Sequence, residues 1–274
     1  MADWLKSTNE RLFKDGSGQV QITQGKVHKC LGMTLDFNVP GEVKITMILR
    51  VKEIVKLFSE HDNSESVSAA PAAEHLFKVD EDALSLTQGQ MTVCHNFVAK
   101  CVFLAKRARP DVSTVVALLS ARVKASDVDD WKKLLQMIRH LRGSVEVPLI
   151  LCADSVPVPK WWVDGSHATH PNTRGDLGGC VSLGKGTPIN ASNKQKLNTR
   201  SSTETELVAP DNFMPIVLWT NCFLEARGCG HQDTVLHQDN QSVILLENNG
   251  RKSPAAREPS ISTADSVPSP TAST

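Results

Sequence analysis

The sequence contains no tyrosine, and aromatic residues make up only 5% of its 274 residues. Lys plus Arg and Asp plus Glu both number 30, so the formal net charge is zero. A neutral chain has no global field that would draw it to nucleic acid or to a membrane, so any polyanion site must be a local patch. No apolar run reaches the roughly 20 residues of a membrane-spanning helix, and we expect no membrane partner.

Paired cysteine spacings are also absent. The seven cysteines are an odd number and include no CxxC motif, which favours free thiols in a reducing compartment over disulfides or structural zinc. The first residues lack the basic and apolar regions of a secretory signal, so we expect an intracellular location, in the cytoplasm, the nucleus or both. His167 and His170 are three residues apart, but a loop beside Pro171 explains them as well as metal ligation does.

The first half of the chain changes its periodicity twice. An amphipathic helix is predicted over 3–14, and alternating apolar residues predict an antiparallel β meander over 19–48. A stretch rich in Ser, Glu, Asp and Ala at 60–73 is typical of a linker or a long surface loop. Apolar residues at three- and four-residue steps then predict a helix over 90–107 and another that begins at Ser126, its N-cap.

The second half alternates strands with helices. Strands are predicted over 148–152, 159–165, 178–183, 187–196 and 234–238, and helices over 203–227 and 240–248. A helix that crosses between the fourth and fifth of these strands implies a mixed sheet, so we expect an α/β fold. Residues 251–274 are rich in Ser, Pro, Ala and Thr and are predicted to be disordered.

Three acidic residues occupy similar settings in this second half. Asp164 ends an apolar run, Glu206 precedes an apolar helical segment, and Asp239 ends the last predicted strand. Two strand-end aspartates faced by a helical glutamate are suited to hold a pair of divalent metals for phosphodiester cleavage. Each acid alone has a plainer explanation: a turn acid, a solvated helix acid, and an N-cap of the following helix, respectively.

Several sequence blocks, taken together and in order, closely resemble the C-terminal part of the Ty1/copia-type retrotransposon polyprotein. They are Leu31-Gly32-Met33, AKRARPD at 105–111, HLRG at 140–143, KLNTRSSTE at 196–204, and Asp239-Asn240-Gln241-Ser242. The likeness extends over about residues 3–250 and implies the end of a reverse transcriptase joined to ribonuclease H. The implied regions are a residual palm β meander at 1–59, a linker at 60–73, a helical thumb- or connection-like region at 74–146, a ribonuclease H-like domain at 147–250, and a disordered tail at 251–274.

The resemblance implies a ribonuclease H-like mixed sheet with flanking helices, and a catalytic set of Asp164, Glu206 and Asp239 that binds Mg²⁺ or Mn²⁺. Glu204 competes with Glu206, but about 200° of helix separates them, so only one can face the sheet. Glu206 is preferred because it precedes an apolar Leu-Val-Ala segment as the family's catalytic glutamate does.

The implied substrate is an RNA–DNA hybrid. The resemblance implies that polymerase aspartates would form an Asp-Asp pair between β-rich runs, and no such pair lies in the first 60 residues. A polymerase-bearing chain of the same element is therefore a further expected partner. Basic residues near the resembling blocks are candidates for contacts with the phosphate backbone. They are Lys106, Arg107, Arg109, Lys196 and Arg200.

Two departures from the family pattern leave an alternative open. Pro210 lies inside the predicted helix of Glu206 and should bend it. The family usually adds a fourth acid after the Asp239 helix, whereas Asp265 here lies in the Pro/Ser-rich tail. The alternative hypothesis is a catalytically decayed retrotransposon fragment that retains the fold and at most binds nucleic acid.

Overall fold

The computed structural model of the chain describes residues 2–14, 23–80, 82–156, 158–170, 172–229, 233–250 and 261–264. Within these residues the architecture is mixed α/β, as predicted, with seven α-helices and two five-stranded sheets. The part of the predicted meander at 19–22 lies outside the described residues.

The elements are numbered in chain order. The helices are α1 (Ala2–Lys14), α2 (Ile48–Phe58), α3 (Gln88–Ala105), α4 (Ser113–Arg122), α5 (Val128–Gly143), α6 (Ser202–Ala226) and α7 (Gln241–Gly250), with a 3₁₀ turn at Pro110–Val112. The strands are β1 (Val27–Cys30), β2 (Met33–Asp36), β3 (Glu42–Thr46), β4 (Leu149–Ala153), β5 (Lys160–Ser166), β6 (Asp176–Ser182), β7 (Gly184–Lys185), β8 (Ile189–Lys194), β9 (Thr234–His237) and β10 (Ile261–Ala264).

The first sheet contains the predicted meander and has the order β1-β2-β3-β4-β7, antiparallel throughout. The strand that is now β4 was predicted to belong to the mixed sheet of the second half of the chain. That placement is wrong, because β4 pairs with β3 from Glu42↔Cys152 to Ile45↔Leu149. Alternation of apolar residues predicts that a strand exists, but it carries no information about which strand is its partner.

Helices α2 to α5 pack together against this sheet around one apolar core, which includes Phe58, Leu104, Leu119 and Leu141. Two of these helices start with reciprocal capping boxes: Thr87 with Gln90 at α3, and Asp127 with Asp130 at α5. The predicted N-cap at Ser126 is therefore displaced by one residue, because the carboxylate of Asp127 accepts the N–H of Asp130 at 2.8 Å.

The polar stretch at 60–73 is a surface loop that is tied to α5 rather than a free linker. Asp62 accepts hydrogen bonds from the guanidinium groups of Arg139, at 3.1 Å, and Arg142, at 3.4 Å. Arg142 also donates to the carbonyl oxygens of Ser64 and Ser66. These contacts hold a segment of low apolar content against the helical region.

The second sheet has the order β10-β9-β5-β6-β8. Strands β5, β6 and β8 are antiparallel, whereas β9 is parallel to β5 and β10 is parallel to β9. Alternate residues of β5, among them Trp161 and Val163, are buried against α6, where they meet Ala209 and Phe213. The intervening residues therefore face the opposite side of the sheet, where α4 packs beside β8.

The expectation of disorder over 251–274 does not hold for Ile261–Ala264, which form β10 and pair with β9 from Ile261↔Thr234 to Ala264↔His237. The composition argument considers only the apolar surface that a segment can bury. A short segment with β-branched residues can instead add to an open sheet edge through its backbone groups. Residues 251–260 and 265–274, including Asp265, lie outside the described residues.

Two expectations from composition can be compared with the described residues. No described helix combines the length and the apolar character that crossing a membrane requires. Cys94 and Cys101 are buried thiols without a disulfide, and burial raises the pKa of Cys101 to about 12.

Arg109 is a structural residue, and its predicted role in nucleic-acid binding is corrected. Its side chain is 2% exposed. The guanidinium donates to the carboxylate of Asp111 at 2.6 Å, to the carbonyl of Ser144 at 2.8 Å, and to the Ser144 hydroxyl at 2.7 Å. Because the side chain is buried and its guanidinium bonds Asp111 and Ser144 inside the fold, Arg109 is not available to a phosphate at the surface. Positive charge in a sequence does not reveal burial.

Replacing Arg109 by methionine should lower the free energy of unfolding by about 3 kcal/mol, because it leaves Asp111 and the Ser144 carbonyl without their buried partner. Urea denaturation measures this. Lys196→Met, which changes an exposed lysine, is the control and should shift stability by less than about 0.5 kcal/mol. Equal stability of the Arg109 variant and the parent would contradict the structural role.

Candidate active site

The three predicted acids meet at one end of the second sheet. Asp164 lies near the end of β5, Asp239 follows β9, and Glu206 lies in the second turn of α6. Trp162 pairs with His237 across the parallel strands, so each aspartate follows the paired position by two residues. One carboxylate oxygen from each of the three acids lies within 4.8 Å of the others.

Gly165 allows α6 to reach the end of β5. A Cβ at this position would lie 2.9 Å from the carbonyl oxygen of Thr205, closer than side-chain atoms pack. The backbone N–H of Gly165 also donates to the Glu206 carboxylate at 3.2 Å. Gly165 therefore leaves space for α6 beside the strand and also orients the carboxylate of Glu206.

The three carboxylates repel one another. Burial, followed by the negative charges of Asp164 and Asp239, raises the pKa of Glu206 to about 7, although the N–H of Gly165 favours the charged form. A group of hard oxygen donors with unfavourable mutual charge is suited to a divalent cation such as Mg²⁺ or Mn²⁺.

Glu204 points away from this group. Its carboxylate accepts the backbone N–H of Arg200 at 2.6 Å, and its own N–H donates to the hydroxyl of the N-cap Ser201 at 3.1 Å. It caps the start of α6 and is exposed. The geometry thus distinguishes the two glutamates, and Glu206 is the one beside the aspartates.

Helix α6 continues through Pro210 and Pro215 as one element. Pro210 lacks the N–H that would donate to the carbonyl of Glu206, four residues earlier. The side-chain amide of Gln238 donates to that carbonyl instead, at 3.3 Å, and its oxygen accepts the N–H of Asn240 at 3.1 Å. Gln238 is 2% exposed. It therefore links the backbone of Glu206 to the turn that carries Asp239.

The two histidines of the 167–170 segment have separate partners. His167 lies 3.1 Å from the hydroxyl of Thr205 through its Nδ1. His170 is buried, with its Nε2 2.9 Å from a carboxylate oxygen of Asp176. The loop explanation of this pair is therefore favoured over metal ligation.

A cleft of about 680 Å³ lies beside the acids, between the second sheet and the helical region. Its lining includes Asp164, Asp239 and three aromatic side chains, Phe77, Trp162 and His237. The rings of Trp162 and His237 are stacked, with centroids 4.8 Å apart and planes 11° apart. Burial, with the charge of Lys160, lowers the pKa of His237.

The four remaining basic candidates have different surroundings. Lys106 is exposed and its amine donates to the carbonyl of Asn190 at 3.4 Å. Arg107 lies over the ring of Phe103, 3.7 Å from its centroid. Lys196 and Arg200 are exposed, just before α6 and its glutamate. Lys196 and Arg200 therefore stay candidates for contact with a phosphate by their exposure.

Comparison with known proteins finds similarity to a retrovirus-related Pol polyprotein. No family model matches the chain. Over 142 residues, 52% of the chain, it is 28% identical to the retrovirus-related Pol polyprotein from transposon TNT 1-94 of Nicotiana tabacum. That similarity supports a retrotransposon polyprotein origin. The matched region amounts to 11% of the length of the tobacco polyprotein.

The sequence analysis did not identify Gln238 or Trp162 as residues of the site. The signal for Gln238 was indirect: a proline four residues after a helical acid leaves a carbonyl that needs another donor. Trp162 was treated as part of an apolar run, although strict alternation along β5 predicts that it faces the side of the sheet opposite to Trp161.

The bond between Gln238 and the Glu206 carbonyl can be tested with a double-mutant cycle. Gln238→Met should lower the free energy of unfolding by about 1–2 kcal/mol, because the carbonyl and the Asn240 N–H lose their partner. In a Pro210→Ala background the helix regains its own donor, so the same change should cost at least about 0.5 kcal/mol less. An identical cost in both backgrounds would show that Gln238 does not supply the donor that Pro210 lacks.

The repulsion among the acids predicts a pH dependence in the presence of a chelator. The pKa of Glu206 is raised from 4.5 to about 7 in the folded protein. The contribution of protonated Glu206 to the stability of the fold is therefore fully present below pH 4.5 and is lost as the pH rises through about 7. Glu206→Gln should therefore have a higher Tm than the parent at about pH 8, and the difference should shrink toward pH 5.

Glu204→Gln provides the matched control and should show neither effect. Added Mg²⁺ should raise the Tm of the parent but not that of Glu206→Gln, because binding to the folded state alone stabilises it. A Glu206→Gln variant less stable than the parent at high pH would contradict the repulsion.

Proposed function

We propose that this chain is a retroelement-derived, Mg²⁺- or Mn²⁺-dependent nuclease domain of ribonuclease H type that hydrolyses RNA in RNA–DNA hybrids. The observation that carries the proposal is the convergence of Asp164, Glu206 and Asp239 within 4.8 Å at the end of one sheet. The similarity to a retrovirus-related Pol polyprotein supports the same origin. The mixed sheet of β5, β6, β8, β9 and β10, with α6 packed on it, is compatible with a ribonuclease H-like fold.

The residues fit a divalent metal by the chemistry of their donors. All three are carboxylates, and burial, together with the negative charges of Asp164 and Asp239, raises the pKa of Glu206. When bound, a pair of divalent metals supplies charge neutralisation and an activated water for phosphodiester hydrolysis. Gly165 keeps the Glu206 carboxylate oriented toward the aspartates through its N–H.

The remaining elements of the proposal concern the substrate and its surroundings. Lys196 and Arg200, which are exposed before α6, would contact the phosphate backbone in a sequence-independent, salt-sensitive way. A polymerase-bearing chain of the same element would supply the hybrid, and an intracellular location follows from that source. The proposal gives no role to Arg109, because its side chain is buried within the fold.

Hybrid cleavage by the chain in Mg²⁺ or Mn²⁺ tests the proposal directly. Asp164→Asn should reduce the rate by at least about a hundredfold, since even the outer partners of a metal site typically contribute ten- to hundredfold. Glu204→Gln, two residues from Glu206 but turned away from the acids, should retain the parental rate.

Two results would reject the nuclease: no cleavage by the parent chain, or cleavage that is indifferent to Asp164→Asn. Retained binding of the hybrid without cleavage would instead identify a catalytically decayed fragment that keeps its fold. Gel-shift measurements on the same samples separate these outcomes.

A further inference from the structure

The side of the sheet that faces the cleft combines an exposed aromatic ring with a strip of small residues. Trp162 is 39% exposed although it is stacked on His237. On the neighbouring strand β6, Cys180 lies opposite Trp162 and Gly178 lies opposite Asp164. Small residues next to a large ring leave a step in the surface, with the ring as its wall.

Gly178 marks the open part of this step. A Cβ built at Gly178 would meet no heavy atom within 4 Å, in contrast to Gly179, where it would lie 2.6 Å from the ring of Phe213 on the other side of the sheet. The open space is therefore on the cleft side, directly beside Asp164. Ser192, which pairs with Gly178 from β8, also lines the cleft.

The dimensions and chemistry of this space restrict what can occupy it. A volume of about 680 Å³ is in the range of pockets that hold a single small-molecule group. The ring of Trp162, the open space at Gly178 and the hydroxyl groups of Ser113 and Thr114 in the lining suit a flat heterocycle with hydrogen-bonding edges. Trp162 precedes Asp164 by two strand residues, about 6.6 Å, so a ring against Trp162 would lie next to the acids.

We infer that this step is a binding site for one unpaired nucleobase of a nucleic-acid strand, which stacks on Trp162 above Gly178 beside the three acids. The choice of nucleic acid as the ligand rests on the proposed function. The inference adds to that function a single-stranded element in the substrate. Stacking on an aromatic side chain is tolerant of sequence, because every base presents a π face. The site would therefore hold strands that are unpaired next to the cleavage position, without reading their sequence.

The test measures binding rather than cleavage. The probe is a short, end-labelled single-stranded oligodeoxynucleotide, titrated in Mg²⁺ and followed by fluorescence anisotropy. Trp162→Ala should weaken binding roughly tenfold to a hundredfold, the effect expected for the loss of one stacked base. Trp162→Phe, which keeps an aromatic face, should restore most of the affinity.

Two further variants separate loss of the site from loss of the fold. Gly178→Val fills the open space with a residue that favours strands, so it should keep or raise the Tm and still abolish binding. Trp219→Ala is the matched control: Trp219 is also exposed and stacked, on Phe223 at 5.4 Å, but it does not line the cleft. Its affinity for the probe should equal that of the parent.

The outcomes distinguish this inference from the proposed function. No binding by the parent chain, equal binding by Trp162→Ala, or unaffected binding by Gly178→Val overturns the nucleobase site, even if the hybrid is cleaved. Binding that depends on Trp162 and Gly178 in a chain that does not cleave hybrids supports the site and rejects only the nuclease.

Discussion

The close approach of α6 to the end of β5 is the contact on which the candidate site depends. It is possible because residue 165 has no side chain at the point where the Thr205 carbonyl lies against the strand. If the helix were displaced by the width of a methyl group, Glu206 would move away from both aspartates, and the N–H of Gly165 could no longer reach its carboxylate. The position of a backbone thus determines whether three acids form a group or remain separate.

That contact is made at an energetic disadvantage. Three carboxylates share a small space, and the helix that supplies one of them contains two prolines. The disadvantage is offset locally: Gln238 supplies the donor that Pro210 lacks, and the N–H of Gly165 stabilises the charge of Glu206. Sites at which local stability is poor and compensation is specific are commonly functional, because such arrangements are retained only where they serve a purpose.

The sequence predicted the elements more successfully than their partners. Alternation identified most strands of both sheets, though not β7 or β10, and β4 was assigned to the wrong sheet, since periodicity says nothing about pairing. The three acids could be named because each ends or begins an apolar segment. Arg109 was misread because its charge, seen without its neighbours, does not show that Asp111 and Ser144 enclose it. Gln238 and the space above Gly178 could not be predicted, because both depend on groups that are distant in the sequence.

Strand β10 gives the tail of the chain a physical role that its composition conceals. Without Ile261–Ala264, β9 would be the outermost strand of the second sheet, with a row of unpaired N–H and C=O groups directly before Asp239. Open edges of this kind recruit strands from other molecules and promote aggregation. The short pairing therefore covers the edge of β9, whose backbone groups would otherwise be open to strands of other molecules.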